Sequence, residues 1–130
     1  MDERRANRYE EKLSMLELKR ESILEHMERD KDIVLKTYEE MMDSLKHTLS
    51  MILVDMDEPI YDGMEKVRVL KRKGLLNEKD VEIYREMQEL QEMLDSDNGH
   101  DRSELMKKID ELNGELDDLL SRLKNWWEGM

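Results

Sequence analysis

The sequence has no cysteine, no phenylalanine and a single proline among its 130 residues. Without cysteine no disulfide can hold the chain, so a stable fold needs an apolar core. We expect one domain, residues 1–130, because this length rarely supports two. No apolar run approaches the roughly 20 residues of a membrane span. Residues 1–16 are rich in charge and lack the apolar stretch of a signal peptide. These absences predict a soluble cytoplasmic protein.

Negative charge dominates the composition, with a formal net charge of −12. Such a protein repels a polyanion, so strong binding to RNA is not expected. One local exception is a cluster of five cations, Lys66, Arg68, Lys71, Arg72 and Lys73. This cluster has two interpretations: a helix end whose dipole favours cations, or a small patch that binds RNA or a partner protein.

Apolar residues recur at helical spacing in five segments. The first two segments cover about residues 3–27 and 32–56, and short connections favour antiparallel neighbours. The pattern therefore predicts an all-α fold, an antiparallel up-and-down bundle of four or five helices.

Local signals predict where the later helices begin and end. Pro59 suits the first position of the third helix, which would turn Ile60 inward, and Gly74 suits the left-handed residue after its end. Asn77 and Asp80 have the spacing of a capping box for the fourth helix. Residues 95–99 are a cluster of turn-forming residues.

The fifth segment has the most regular pattern in the chain. Its apolar residues follow a strict seven-residue repeat, as in a coiled-coil seam or a bundle helix. Because two-fold dimers are common and tryptophan is enriched in interfaces, this seam is a candidate dimer interface. The candidate residues are Leu105, Ile109, Leu112, Leu116, Leu119, Leu123, Trp126 and Trp127.

Several strings resemble the HEPN superfamily, specifically its HepT-like toxin subfamily. They are the opening Arg8-Tyr9-Glu10-Glu11-Lys12-Leu13, the second helix over 38–56, and Lys73-Gly74-Leu75-Leu76 before the helix over 81–94. The resemblance implies a five-helix bundle that forms a homodimer and cleaves RNA without a metal. An Arg and a His would perform acid–base catalysis and stabilise the charge of the transition state. A Tyr would be the residue that a partner nucleotidyltransferase adenylylates.

The catalytic residues that the resemblance implies are missing from this chain. The family pattern is approximately Leu-Arg-Asn-x-Leu-Val-His-x-Tyr, and Leu90 and Leu94 match its leucines. Its Arg, His and Tyr positions then fall on Gln91, Ser96 and Asn98. Glutamine carries no positive charge and serine does not titrate near neutrality. The sequence thus predicts a degenerate member without this activity.

Two other groups of residues could carry chemistry. Arg20 and His26 have the spacing of the family's Arg–His pair but lie in the first helix, so they are weak catalytic candidates. Asp95, Asp97, His100 and Asp101 offer oxygen and nitrogen ligands without the spacing of a calcium loop. We predict no metal and no cofactor.

We therefore predict a non-catalytic HEPN-like helical protein that acts by protein–protein interaction. Its setting would be a toxin–antitoxin system linked to a nucleotidyltransferase-type partner, and its state a homodimer. One alternative is an active HEPN ribonuclease with a displaced site. The other is an unrelated coiled-coil or helical-bundle adaptor.

Overall fold

A computed structural model of the protein describes residues 3–96 and 102–129. Within these ranges the chain forms five helices and no strand, which confirms the predicted all-α bundle. The helices are α1 (Glu3–His26), α2 (Lys31–Asp55), α3 (Glu65–Arg72), α4 (Glu78–Ser96) and α5 (Arg102–Glu128). No helix in the described ranges is long and apolar enough to cross a membrane.

Four long helices form the bundle, and their cross-contacts give its order. The start of α1 meets the end of α2 through Arg5 and Asp55, and it meets the end of α5 through Glu10 and Trp127. Near the middle of the bundle, Lys46 of α2 contacts Gln91 of α4. The helices therefore follow one another as α2, α1, α5, α4 around the core, and α3 packs across α2 and α4.

The core is built from the apolar stripes that the sequence predicts. Tyr9, Leu16 and Ile23 of α1 are almost fully buried, as are Tyr38 and Leu45 of α2. Burying a large apolar side chain contributes roughly 1.5–3 kcal/mol, so these stripes supply most of the driving force for folding. The stripe of α5 closes the same core.

Most of the local signals act as predicted. Gly74 has a φ of 83°, the left-handed conformation after a helix that glycine adopts without strain. Asn77 and Asp80 form a reciprocal capping box, with N···O distances of 3.0 and 2.9 Å. Asp30, whose cap was not among the predictions, also begins α2 by accepting a hydrogen bond from the backbone of Ile33.

The prediction for Pro59 is wrong, because α3 begins at Glu65 rather than at the proline. Asp57 and Gly63 have φ values of 59° and 56°, and residues in this conformation cannot continue a right-handed helix. The segment between them is a loop, and Ile60 is 75% exposed instead of turned inward. The predicted turn cluster is corrected in part: Asp95 and Ser96 end α4, while residues 97–99 lie outside the described ranges.

Candidate functional site

Gln91 occupies the position that the family resemblance assigns to a catalytic arginine, and here it belongs to a structural contact between α2 and α4. Its side chain is 9% exposed. Its Oε1 accepts a hydrogen bond from Lys46 Nζ at 2.6 Å, and its Nε2 donates to Asp43 Oδ1 at 3.5 Å. The amide is thus held between an ammonium and a carboxylate. Ser96 ends α4, its side chain is outside the described atoms, and Asn98 lies outside the described ranges.

Two carboxyl groups meet beside this contact. Burial raises the pKa of Glu39, and a hydrogen bond to Asp95 and the nearby charge of Asp43 raise it further. Carboxylates this close together resist ionising at the same time. This end of the α2–α4 contact therefore repels an anion such as phosphate rather than attracting it.

The second candidate pair, Arg20 and His26, is bound into the fold. Arg20 donates from Nη2 to the backbone oxygen of Asn113 at 2.7 Å and pairs with Asp117 at 2.5 Å. Asn113, which is 2% exposed, accepts from Arg20 Nε and returns a hydrogen bond from Nδ2 to the Arg20 carbonyl. His26 Nδ1 lies 2.9 Å from the Ser22 carbonyl, one turn back on α1. Arg20 thus fixes α1 against α5.

The cation cluster of α3 is largely neutralised within the chain. Arg68 pairs with Glu65 at 3.0 Å, Lys71 with Glu78, and Lys73 with Glu58 at 2.9 Å. The hydrogen bond from Lys73 lowers the pKa of Glu58 despite the opposing effect of desolvation. Of the remaining two, Lys66 is partly buried, which lowers its pKa, and Arg72 is exposed at the end of α3. Two of these three ion pairs join the end of α3 to neighbouring segments, and three of the five cations are paired within the chain.

The predicted interface seam of α5 faces inward, which corrects its interpretation as a dimer surface. Seven of the eight candidates are at most 7% exposed within one chain. They are Leu105, Ile109, Leu112, Leu116, Leu119, Leu123 and Trp127. A seven-residue repeat describes a helix in a bundle as well as one in a coiled coil, so the pattern could not separate the two.

Both tryptophans pack on the first helix instead of pointing outward. The ring of Tyr9 is stacked on Trp127 with a centroid distance of 5.2 Å, and Trp126 meets it edge-on at 5.7 Å. Trp127 Nε1 donates to Glu10 at 3.0 Å. The Tyr9 hydroxyl in turn donates to Asp55, which also binds Arg5. This cluster ties the two ends of the described chain to the end of α2.

Metal binding finds no support in the described ranges, where no group of three or more His, Asp or Glu side chains is placed to hold an ion. Of the four candidate ligands, Asp95 lies in α4. Asp97, His100 and Asp101 lie outside the described residues.

A different set of cations lies on α1, with two members exposed and the third half-buried, and the sequence did not single it out. Arg4, Arg8 and Lys12 are spaced by four residues and follow the flank of α1 that faces α2; we call them the α1 cation row. Within residues 3–96 and 102–129, none of the three is paired with a carboxylate. Lys12 instead lies 2.9 Å from Nδ1 of His47 on α2. The four-residue spacing was the signal that could have revealed the row.

Three shallow hollows surround the α1 cation row. One of about 320 Å³ lies between α1 and α2, and its wall includes Arg8, Lys12, His47 and Met51. Hollows of about 490 and 570 Å³ follow along α1, sharing Asn7 and Glu11. The largest reaches the exposed side chains of Met15 and Leu18. Apolar side chains, cations and the carboxylates of Glu3, Glu10 and Glu11 therefore occur together on this surface.

The chain was compared with protein-family models, curated proteins and solved structures, and none of them matches it.

Proposed function

We propose that this chain is a non-catalytic HEPN-like helical protein that acts by binding another protein. The observation that carries the proposal is the environment of Gln91. In the family register this side chain stands where a catalytic guanidinium would stand, and its amide lies between Lys46, at 2.6 Å, and Asp43, at 3.5 Å. RNA cleavage of this kind needs a cation and a titratable group aimed at the scissile phosphate. Neither is supplied by an amide that already bonds on both sides.

The environment of Arg20 and His26 supports the same proposal. Arg20 is committed to Asn113 and Asp117, so using it in catalysis would break the contact between α1 and α5. At 100° per residue, two residues six apart point in directions about 120° apart on one helix. Arg20 and His26 therefore do not converge on a substrate within one chain.

The proposed setting is a cytoplasmic toxin–antitoxin system with a nucleotidyltransferase-type partner. Self-association as a homodimer is part of this proposal, on a surface other than the buried stripe of α5. Sedimentation equilibrium at tens of micromolar tests it, since a specific interface holds in that range. A monomer throughout would remove the dimer from the proposal.

The enzymatic alternative is tested by incubating the purified protein with unstructured, fluorescently labelled RNA at low salt. We expect no cleavage above a protein-free blank, for the wild type and for His26→Ala alike. His26→Ala is preferred to a change at Arg20, because loss of Arg20 disturbs the fold as well. Cleavage by the wild type that disappears in His26→Ala would replace the proposed function with a displaced ribonuclease site.

A further inference from the structure

We propose that the α1 cation row binds an acidic amphipathic helix of a partner protein. This inference rests on the proposed function, because it names the surface and the kind of partner for a protein that acts by binding. Arg4, Arg8 and Lys12 form the basic edge of the surface, and Met15, Leu18 and Met51 form its apolar part.

The first argument is the spacing of the cations. Residues four apart on a helix are separated by about 6 Å along its axis, and each is turned by about 40° from the last. A partner helix with carboxylates at the same spacing would place one acid beside each cation when it lies along α1. An extended strand or an irregular loop does not present its side chains at this interval, so the spacing of the row favours a helical partner.

The second argument is the charge that surrounds the row. Glu3, Glu10, Glu17 and Glu21 lie on the opposite flank of α1, towards α5, where the Glu10 carboxylate accepts from Trp127. Glu11 borders the row and lines all three hollows. An acidic helix is thus attracted to the side of the row that faces α2, and it is repelled by Glu11 and by the flank that faces α5. Screening limits these forces to about 8 Å at physiological salt, so the row acts locally although the whole protein carries a charge of −12.

The third argument is the apolar surface beside the cations. Met15 is 47% exposed and Leu18 is 61% exposed, and both line the largest hollow. Methionine adapts its shape to different partners, which suits a docking surface. A nucleic acid would gain little from these apolar side chains, because its affinity for proteins comes mainly from contacts to phosphate.

A second copy of this chain fits the surface less well. In an antiparallel two-fold pair of α1 helices, equal flanks meet, so the cation row would face its own copy. In a parallel two-fold pair that meets along the row, Arg8 of one chain would face Arg8 of the other near the middle of the contact. Like charges in such positions oppose association.

The test uses a fluorescein-labelled, alanine-based peptide with glutamates repeated every four residues and leucines on the adjoining face. Its twin carries lysine in place of every glutamate. Fluorescence anisotropy of each peptide with the full-length protein measures binding at about 50 mM and about 300 mM salt, since screened charge contacts weaken as salt rises.

The key variant reverses the row with Arg4→Glu, Arg8→Glu and Lys12→Glu. Its matched control, Lys79→Glu, Lys107→Glu and Lys108→Glu, reverses three exposed lysines of α4 and α5 and changes the net charge equally. We expect the row variant to bind the acidic peptide at least about tenfold more weakly, as three ion pairs of about 0.5 kcal/mol each imply. The control keeps its affinity for the acidic peptide, and the lysine twin binds the row variant.

Circular dichroism checks that both triple variants are folded. If the row variant is not folded, the milder Arg8→Ala, Lys12→Ala variant replaces it.

Several results would overturn the inference. An equal loss of affinity for the acidic peptide in both triple variants would show that binding depends on overall charge. If the wild type does not bind the acidic peptide, the proposed site does not exist. If the wild type bound a labelled oligouridine as tightly as the acidic peptide, the ligand of the row would be a nucleic acid instead of a helix. A wild-type dimer that the row variant dissociates would make the occupant a second copy. Each of these outcomes leaves the ribonuclease test untouched, so the inference and the proposed function fail separately.

Discussion

The cations of α3 and those of α1 differ in what the folded chain places beside them. Lys71 and Lys73 end a short helix and meet the carboxylates of Glu78 and Glu58. Arg4 and Arg8 lie as close together in the sequence, yet neither forms an ion pair with a carboxylate within the described residues. A cluster of charges in a sequence therefore does not tell which charges are available. Whether a charge is paired depends on the groups that other helices place beside it.

The largest effect is expected where the fold pairs a fully buried charge. Asp80 is 0% exposed and is bound by the guanidinium of Arg122, with one N···O distance of 2.6 Å. Arg122→Ala would leave this carboxylate buried without its cation, so we expect a loss of about 3 kcal/mol in the free energy of unfolding. Urea denaturation measures it. Arg85→Ala, which breaks two exposed pairs on α4, is the control and costs less than about 1 kcal/mol. Equal losses in the two variants would mean that buried and exposed ion pairs contribute equally to stability.

The next effect depends on pH and involves Asp55. Burial raises the pKa of this carboxyl, but the hydrogen bonds from Arg5 and from the Tyr9 hydroxyl together outweigh burial and lower it. A lowered pKa in the folded state gives stability that is present above the ordinary value near 4 and is lost as pH falls through the folded value.

We expect Asp55→Asn to cost about 2 kcal/mol at pH 7, because it removes hydrogen bonds to charged groups. Thermal unfolding between about pH 7 and pH 2 would then show a shallower loss of stability for the variant than for the wild type. Parallel curves for the two proteins would contradict the role assigned to this carboxylate.

A polar group without charge should give a smaller effect. Asn113→Ala removes the hydrogen bonds that join α5 to Arg20, and we expect it to cost about 1–2 kcal/mol. Asn125→Ala, at an exposed position of the same helix, is the matched control and changes stability by less than about 0.5 kcal/mol. Thermal denaturation followed by circular dichroism compares them, and similar values would mean that the Arg20–Asn113 contact contributes little.

Two buried tyrosines differ in whether the hydroxyl group has a hydrogen-bond partner. The Tyr38 hydroxyl donates to the Met87 carbonyl at 2.7 Å, whereas the Tyr84 hydroxyl has no partner among the described residues. Burial also raises the pKa of Tyr84 to about 12, so this hydroxyl stays protonated at neutral pH. We expect Tyr38→Phe to cost about 1 kcal/mol and Tyr84→Phe to be neutral or stabilising. The reverse order in chemical denaturation would show that Tyr84 has a partner in solution.

The smallest effect on stability is expected for the α1 cation row itself. Arg8→Ala should change the free energy of unfolding by less than about 0.5 kcal/mol, because the side chain is exposed and forms no ion pair with a described residue. Lys73→Ala, which removes the pair with Glu58, should cost slightly more. A clear loss of stability for Arg8→Ala would show that the row supports the fold, and would weaken its assignment as a binding surface.

How far the candidate site could be predicted differs from residue to residue. The sequence pointed to Gln91 as a replaced catalytic position, but it held no sign that Lys46 and Asp43 would enclose the amide. Asn113 was missed entirely, since one polar residue beside an apolar stripe looks like any exposed position. Its partner Arg20 lies on another helix, and only packing brings the two together.

Local chemistry by itself determined the helices and most of their boundaries. The period of the apolar residues, Gly74 and the Asn77–Asp80 capping box are properties of neighbouring residues, so they can be read along the chain. The tertiary structure decided the rest. It set the loop after α2, where the left-handed residues Asp57 and Gly63 keep Pro59 out of a helix. It turned the α5 seam inward, paired the cations of α3 and left those of α1 open. Each of these outcomes depends on contacts between distant parts of the chain, and a single sequence carries no direct record of such contacts.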